Sequence, residues 1–171
     1  MSSLATSLRS DSNCGADYRL QNPMVRSAYA GLIAYTPLFK TSCFKANGSP
    51  NSDYCFSNAI TNTSAPSDSY LYYLPLGMPI PGGSLLTCTD CLKRTMQVFQ
   101  EAAANKTQLL SNVYGDAARM INVNCGPTFV NSTVVVTKGQ GSGSARTIGA
   151  PALTLVSLLA AVGLTGVALI S

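Results

Sequence analysis

The chain has 171 residues, enough for one domain of ordinary size once an apolar terminal stretch is set aside. Only 11% of it is charged, and the net charge of +4 is spread thinly from Arg9 to Arg146 with no basic run beyond Lys93-Arg94, which excludes a nucleic-acid footprint. Histidine is absent, so triads that rely on imidazole are excluded and the commonest metal ligand is missing.

The first residues, Ser2 to Arg9, read as the tail end of a helix. From Met24 to Thr36, Val25, Ala28, Tyr29, Leu32 and Ile33 recur at helical spacing, with Asn22-Pro23 as a start and Pro37 as the stop. A long irregular region follows. Asn47-Gly48 and Pro50-Asn51 are turn signals, Ser57 to Ser69 is polar, and Tyr70 to Pro81 is proline-punctuated and therefore extended rather than helical. Cys91 to Ala104 is helical again, with Leu92, Met96, Phe99 and Ala103 on one face and Thr89 or Asp90 as the N-cap. Gln108 to Val123 repeats the pattern with Leu110, Val113, Tyr114, Ala117 and Ile121, weakened in its middle by Gly115. Phe129 to Thr137 is β-branched and reads as a short strand.

The fold class is therefore mainly α: a small disulfide-stapled helical domain with a long irregular loop region and a C-terminal apolar helix. Residues 1–137 form the cysteine-rich, mostly helical ectodomain, 138–146 a Gly/Ser linker, and 147–171 an apolar terminal segment.

Six cysteines, Cys14, Cys43, Cys55, Cys88, Cys91 and Cys125, fit a disulfide framework in an oxidising compartment, and sequence alone does not choose their pairing. An antiparallel hairpin of the last two helices, turning at Asn105-Lys106, brings Cys88 or Cys91 level with Cys125. Cys43 and Cys55 flank the Asn-Gly turn and are placed to close a short loop. The Cys88-Thr-Asp-Cys91 motif also has the form of a zinc or redox motif. Zinc needs two further ligands that no second C-x-x-C supplies; a redox role lacks a βαβ context. No metal and no cofactor is expected.

Four N-glycosylation sequons begin at Asn47, Asn62, Asn105 and Asn131, where chance gives about two, and each falls in a loop or at an element boundary. The last 25 residues, Thr147 to Ser171, carry no charge. Small residues at Ser142, Gly143 and Ser144, a short spacer and an apolar tail make the signature of a glycosylphosphatidylinositol (GPI) attachment signal. A retained tail anchor on a cytosolic protein is the alternative, since the apolar stretch is long enough to span a bilayer. The N-terminus has no apolar signal-peptide core, and a GPI protein must enter the secretory pathway, so an N-terminally truncated sequence is expected.

Catalysis has little to stand on. The seven acids, Asp11, Asp17, Asp53, Asp68, Asp90, Glu101 and Asp116, include no pair with a motif around it, although a glycosidase needs only two carboxylates. Asp53, Asp68 and Asp90 read equally well as turn or cap residues. The best candidate for a binding surface is the cluster Tyr70, Tyr72 and Tyr73; in an extended segment Tyr70 and Tyr72 share one face and Leu71 and Tyr73 the other.

Several stretches carry a resemblance: Tyr54-Cys-Phe-Ser-Asn-Ala-Ile60, Ser67-Asp-Ser-Tyr-Leu-Tyr-Tyr-Leu-Pro-Leu-Gly77, Pro81-Gly-Gly-Ser84, Cys88-Thr-Asp-Cys-Leu92, Asp11 to Tyr18 and Asn124 to Asn131. On these the chain resembles a family of fungal GPI-anchored cell-surface proteins built on a domain of unknown function, over roughly residues 1 to 135. The resemblance implies a signal peptide and further cysteines before Met1, no assigned catalytic residue, and the outer face of the plasma membrane or the cell wall as location. It implies the membrane, through the GPI lipid, and cell-wall polysaccharide as partners. The resulting expectation is a structural or adhesive glycoprotein; the alternatives are a polysaccharide-modifying enzyme using two carboxylates and a tail-anchored membrane protein.

Overall fold

The computed structural model describes residues 1–47 and 53–136. The linker, with Ser142, Gly143 and Ser144, and the apolar tail lie outside the described residues. Among the described residues seven helical elements follow one another: α1 (Ser2–Leu8), α2 (Gly15–Arg19), α3 (Pro23–Ser42), α4 (Cys55–Thr61), a 3-10 helix (Pro66–Leu76), α5 (Asp90–Ala103) and α6 (Leu110–Cys125). No strand occurs among the described residues; a single antiparallel bridge joins Lys45 and Tyr54.

The main core lies between α5, α6 and the 3-10 helix. The sequence-predicted face of α5, Leu92, Met96, Phe99 and Ala103, is buried, as are Leu110, Tyr114, Ala117 and Ile121 of α6; Val113 is half-buried at their edge. Helix α5 starts where its cap predicts, because the Thr89 hydroxyl accepts from the Leu92 N–H at 3.2 Å. Gly115 does not interrupt α6, and a Cβ there would meet only the Arg119 guanidinium at 3.6 Å.

Helix α3 does not stop at Pro37 but runs through it to Ser42. A mid-helix proline deprives the Ile33 carbonyl of its N–H partner, yet the turn that follows buries Pro37 and Thr41. Thr41 closes that turn by donating to the carbonyls of Pro37 and Leu38 at 2.9 and 3.2 Å. Burial outweighs one missing hydrogen bond. The buried face of α3 is Tyr29, Ile33, Ala34, Pro37 and Thr41, and Ala28 is exposed.

The predicted irregular region is largely helical. Residues 55–61 form α4, and Tyr70 to Leu76 belong to the 3-10 helix rather than an extended segment. That helix opens on Pro66 and ends at Gly77, whose φ of +81° suits a residue without a Cβ. With three residues per turn, positions 70 and 73 fall on one side and 71 and 74 on another. Tyr70 and Tyr73 are exposed; Leu71, Tyr72 and Leu74 are buried. The expectation that Tyr70 and Tyr72 share a face is thereby overturned.

The expected strand at 129–137 is also replaced. Residues 131–136 are irregular, and the backbone around them bonds to helix side chains instead of to a second strand. Asn122 exchanges two bonds of 2.9 Å with the N–H and carbonyl of Val130, Tyr114 Oη donates to the Asn131 carbonyl at 2.6 Å, and Gln100 donates to the Thr133 carbonyl at 2.6 Å. Backbone groups must be paired somewhere, and here two helices supply the partners.

Two disulfides staple this half of the chain. Cys55 joins Cys91 and Cys88 joins Cys125, each with Cα atoms 5.5 Å apart. The second closes the outer ends of the α5–α6 hairpin. Cys43 does not pair with Cys55: beyond the Lys45–Tyr54 bridge Cys55 is 1% exposed and turned to the first turn of α5, while Cys43 is exposed. Cys14 and Cys43 carry free thiols.

The N-terminal elements make a smaller cluster of Ala5, Tyr29 and Ile33. The exposed Arg9 lies at its edge, with its guanidinium carbon 5.0 Å from the Tyr18 ring centroid and 5.4 Å from that of Tyr29, and it donates a 3.3 Å bond to the Tyr29 hydroxyl. The turn from α1 to α2 passes so tightly that a Cβ on Gly15 would lie 2.7 Å from two carbonyl oxygens.

Candidate functional site

A concavity of about 320 Å³ opens where α4, the 3-10 helix and the start of α5 converge. Its floor is apolar: Ala59, Leu71, Leu86 and Leu92, with the Cys55–Cys91 disulfide. Tyr72 forms one wall, its ring held edge-to-face by Phe56 at 4.9 Å. The rim is polar, with Asn47, Asn58, Asn62, Thr87 and Thr89 around two carboxylates, Asp68 and Asp90.

Both carboxylates are oriented by amide donors. Asp68 accepts the Thr87 backbone N–H at 2.7 Å on one oxygen and Asn62 Nδ2 at 3.1 Å on the other. Asp90, the first residue of α5, accepts Asn47 Nδ2 at 2.6 Å and faces Arg94 at 3.7 Å. The Tyr72 phenol is pushed above its ordinary value, chiefly by burial; the Thr95 hydroxyl beside it opposes the rise, and Asp68 adds to it by less.

The other sequence-predicted residues are distributed differently. Asn47, Asn105 and Asn131 are exposed and Asn62 is half-buried. In three sequons the asparagine oxygen accepts the N–H two residues on: Ser64 at 3.1 Å, Thr107 at 2.9 Å and Thr133 at 2.9 Å. Asn47 and Asn62 both belong to the cavity rim. Of the tyrosine cluster only Tyr72 reaches the cavity, while Tyr70 and Tyr73 face outward. Cys88 and Cys91, bonded to different partners, form no dithiol, so the redox reading of the C-x-x-C motif is overturned. Among the described residues, no helix is long and apolar enough to cross a membrane.

Residues 1–134 match the family described as a domain of unknown function (DUF7729). The chain belongs to that family. No curated protein and no solved structure matches it at a significant level. The DUF7729 match takes in both disulfides and the whole cavity, so the cavity is part of the domain itself rather than of an appendage.

Within this DUF7729 chain, the association of Asp68 with Asp90 across 22 positions was not readable beforehand. Each follows a helix-start signal, Pro66 and Thr89, and so reads locally as a cap residue. A second missed feature is the stacked pair Tyr35 and Phe39 on α3, exposed, with ring centroids 5.9 Å apart. Their spacing of four residues was the available signal.

Proposed function

We propose that this chain is the ectodomain of a GPI-anchored, N-glycosylated fungal cell-surface protein with a structural or adhesive role. The observation that carries the proposal is the pair of disulfides closing loops of 36 and 37 residues, the kind of staple that persists in oxidising, extracellular surroundings. The exposed sequon asparagines at 47, 105 and 131 support it, since a bulky glycan has room there. The small residues at 142–144 and the uncharged tail support the lipid attachment. Treatment of cells with phosphatidylinositol-specific phospholipase C is expected to release the protein into the medium; retention in the membrane fraction after treatment and deacylation counts against the anchor. A mobility shift on deglycosylation is expected in the same sample.

A second reading, polysaccharide cleavage by two carboxylates, is favoured by Asp68 and Asp90 lining one cavity. It is weaker, because no motif surrounds either acid and each carboxylate is already engaged in a structural contact, Asp68 with Thr87 and Asn62 and Asp90 with Asn47 and Arg94. Unchanged polysaccharide turnover in a chain carrying D68N and D90N rules it out.

A further inference from the structure

We infer that the cavity between α4, the 3-10 helix and α5 is a binding site for a small organic cation, a protonated amine carried on an apolar body. The inference is independent of where the chain is tethered. Charge is the first reason. The protein as a whole is basic, with 11 Lys and Arg against 7 Asp and Glu, yet two of those acids line this one cavity and, among the described residues, no Lys or Arg does. The local field is therefore opposite to the average one.

The two carboxylates are not equivalent. Asp90 is balanced by Arg94 at 3.7 Å and by the N-terminal end of α5, on which it sits. Among the described residues Asp68 has neutral partners, the Thr87 N–H and the Asn62 carboxamide. An ionised carboxylate offers about four acceptor positions, so two donors leave it capacity for an incoming ammonium. It is half-exposed, which leaves it reachable. Because both fixed donors come from other elements, the carboxylate is already oriented, and binding costs little side-chain ordering.

Shape is the second reason. The volume of about 320 Å³ lies at the lower end of the ~300–1,000 Å³ that hold small molecules. Its floor of Ala59, Leu71, Leu86 and Leu92 suits a hydrocarbon or ring, and not a bare metal ion. Tyr72, four residues after Asp68, adds an aromatic ring to the same wall, and aromatic rings attract organic cations. An ammonium at Asp68 and an apolar body over the leucines use both the acidic rim and the apolar floor.

The test uses matched probes, cyclohexylamine and cyclohexanol, titrated at pH 7 into the full, oxidised chain with amide signals followed by two-dimensional NMR. Saturable shifts at Thr87 and Asp68 are expected with the amine, and binding of the alcohol at least about tenfold weaker, the ratio that about 1.4 kcal/mol of charge recognition gives. D68N is expected to abolish that preference, and D90N to change amine affinity by less than about threefold. Equal binding of amine and alcohol to the native chain overturns the inference, and so does the absence of saturable shifts with either probe. If D68N fails to fold, the probe contrast on the native chain still decides. A larger loss with D90N than with a folded D68N also overturns it.

Discussion

The two ends of the folded region are stabilised by different means. From α4 onward the chain has the large core of α5, α6 and the 3-10 helix and both disulfides. The part before it has a smaller apolar cluster built on Ala5, Tyr29 and Ile33, an arginine stacked on two tyrosines, and both free cysteines, Cys14 and Cys43. Stability need not be uniform along a chain, and regions with few buried apolar contacts open first. The contrast teaches that the cavity, walled by one disulfide and resting on core leucines, belongs to the half least prone to local opening.

The largest way to break the contrast is to remove the covalent staples. Replacing Cys88 and Cys125 together by serine is expected to cost about 2–4 kcal/mol in denaturant unfolding, as is replacing Cys55 and Cys91. The second pair is also expected to disturb the cavity, because Cys55 and Cys91 line it. Next, Ile121→Ala and Ile33→Ala form a matched pair, one in each cluster. Both fall in the range of about 2–5 kcal/mol for such truncations, with Ile121→Ala the costlier; an equal or reversed order in urea melts means the N-terminal cluster is as well packed as the main core.

A smaller effect is expected from Tyr114→Phe, which removes the bond to the Asn131 carbonyl and costs about 1 kcal/mol. It also carries a pH signature. Burial pushes the Tyr114 hydroxyl up to about 12, above the ordinary tyrosine value of 10.0. The folded state thus holds this proton more tightly than the unfolded state. The contribution is whole below pH 10 and is lost as pH rises toward about 12. Alkaline melts of the native chain are expected to fall in that window, and those of Tyr114→Phe to fall less.

Arg9→Gln sharpens the comparison from the other side. Losing the two ring contacts is expected to cost about 0.5–1 kcal/mol and to raise hydrogen exchange in α1 and α2 while leaving α5 and α6 protected. Smallest of all, Cys14→Ser and Cys43→Ser are expected to shift stability by no more than about 0.5 kcal/mol each. A larger loss at either means that the thiol has a structural partner.

Legibility in the sequence followed the same division. The helices α5 and α6, with the core faces through Phe99 and Ile121, were readable because an amphipathic period and a Thr89 cap are local signals. The bridge from Cys88 to Cys125 followed from hairpin geometry, one of two options left open. Three readings failed where distant contacts overrode local chemistry. Pro37 sits inside α3 because the next turn is buried. Tyr70 to Leu76 coil because Leu71, Tyr72 and Leu74 gain a core to enter. Residues 130–133 stay irregular because Asn122, Tyr114 and Gln100 satisfy their backbone.

Composition, periodicity and spacing by themselves determined the helical class, the hairpin and the positions of the sequons, all properties of neighbouring residues. The tertiary structure alone decided the partner of Cys55, the burial of Tyr72 and the meeting of Asp68 with Asp90 at one cavity. The physical reason is range. Caps and helical faces are fixed by interactions a few residues apart, whereas a cavity exists only after elements far apart in the chain have packed, and no local pattern records which side chains will line it.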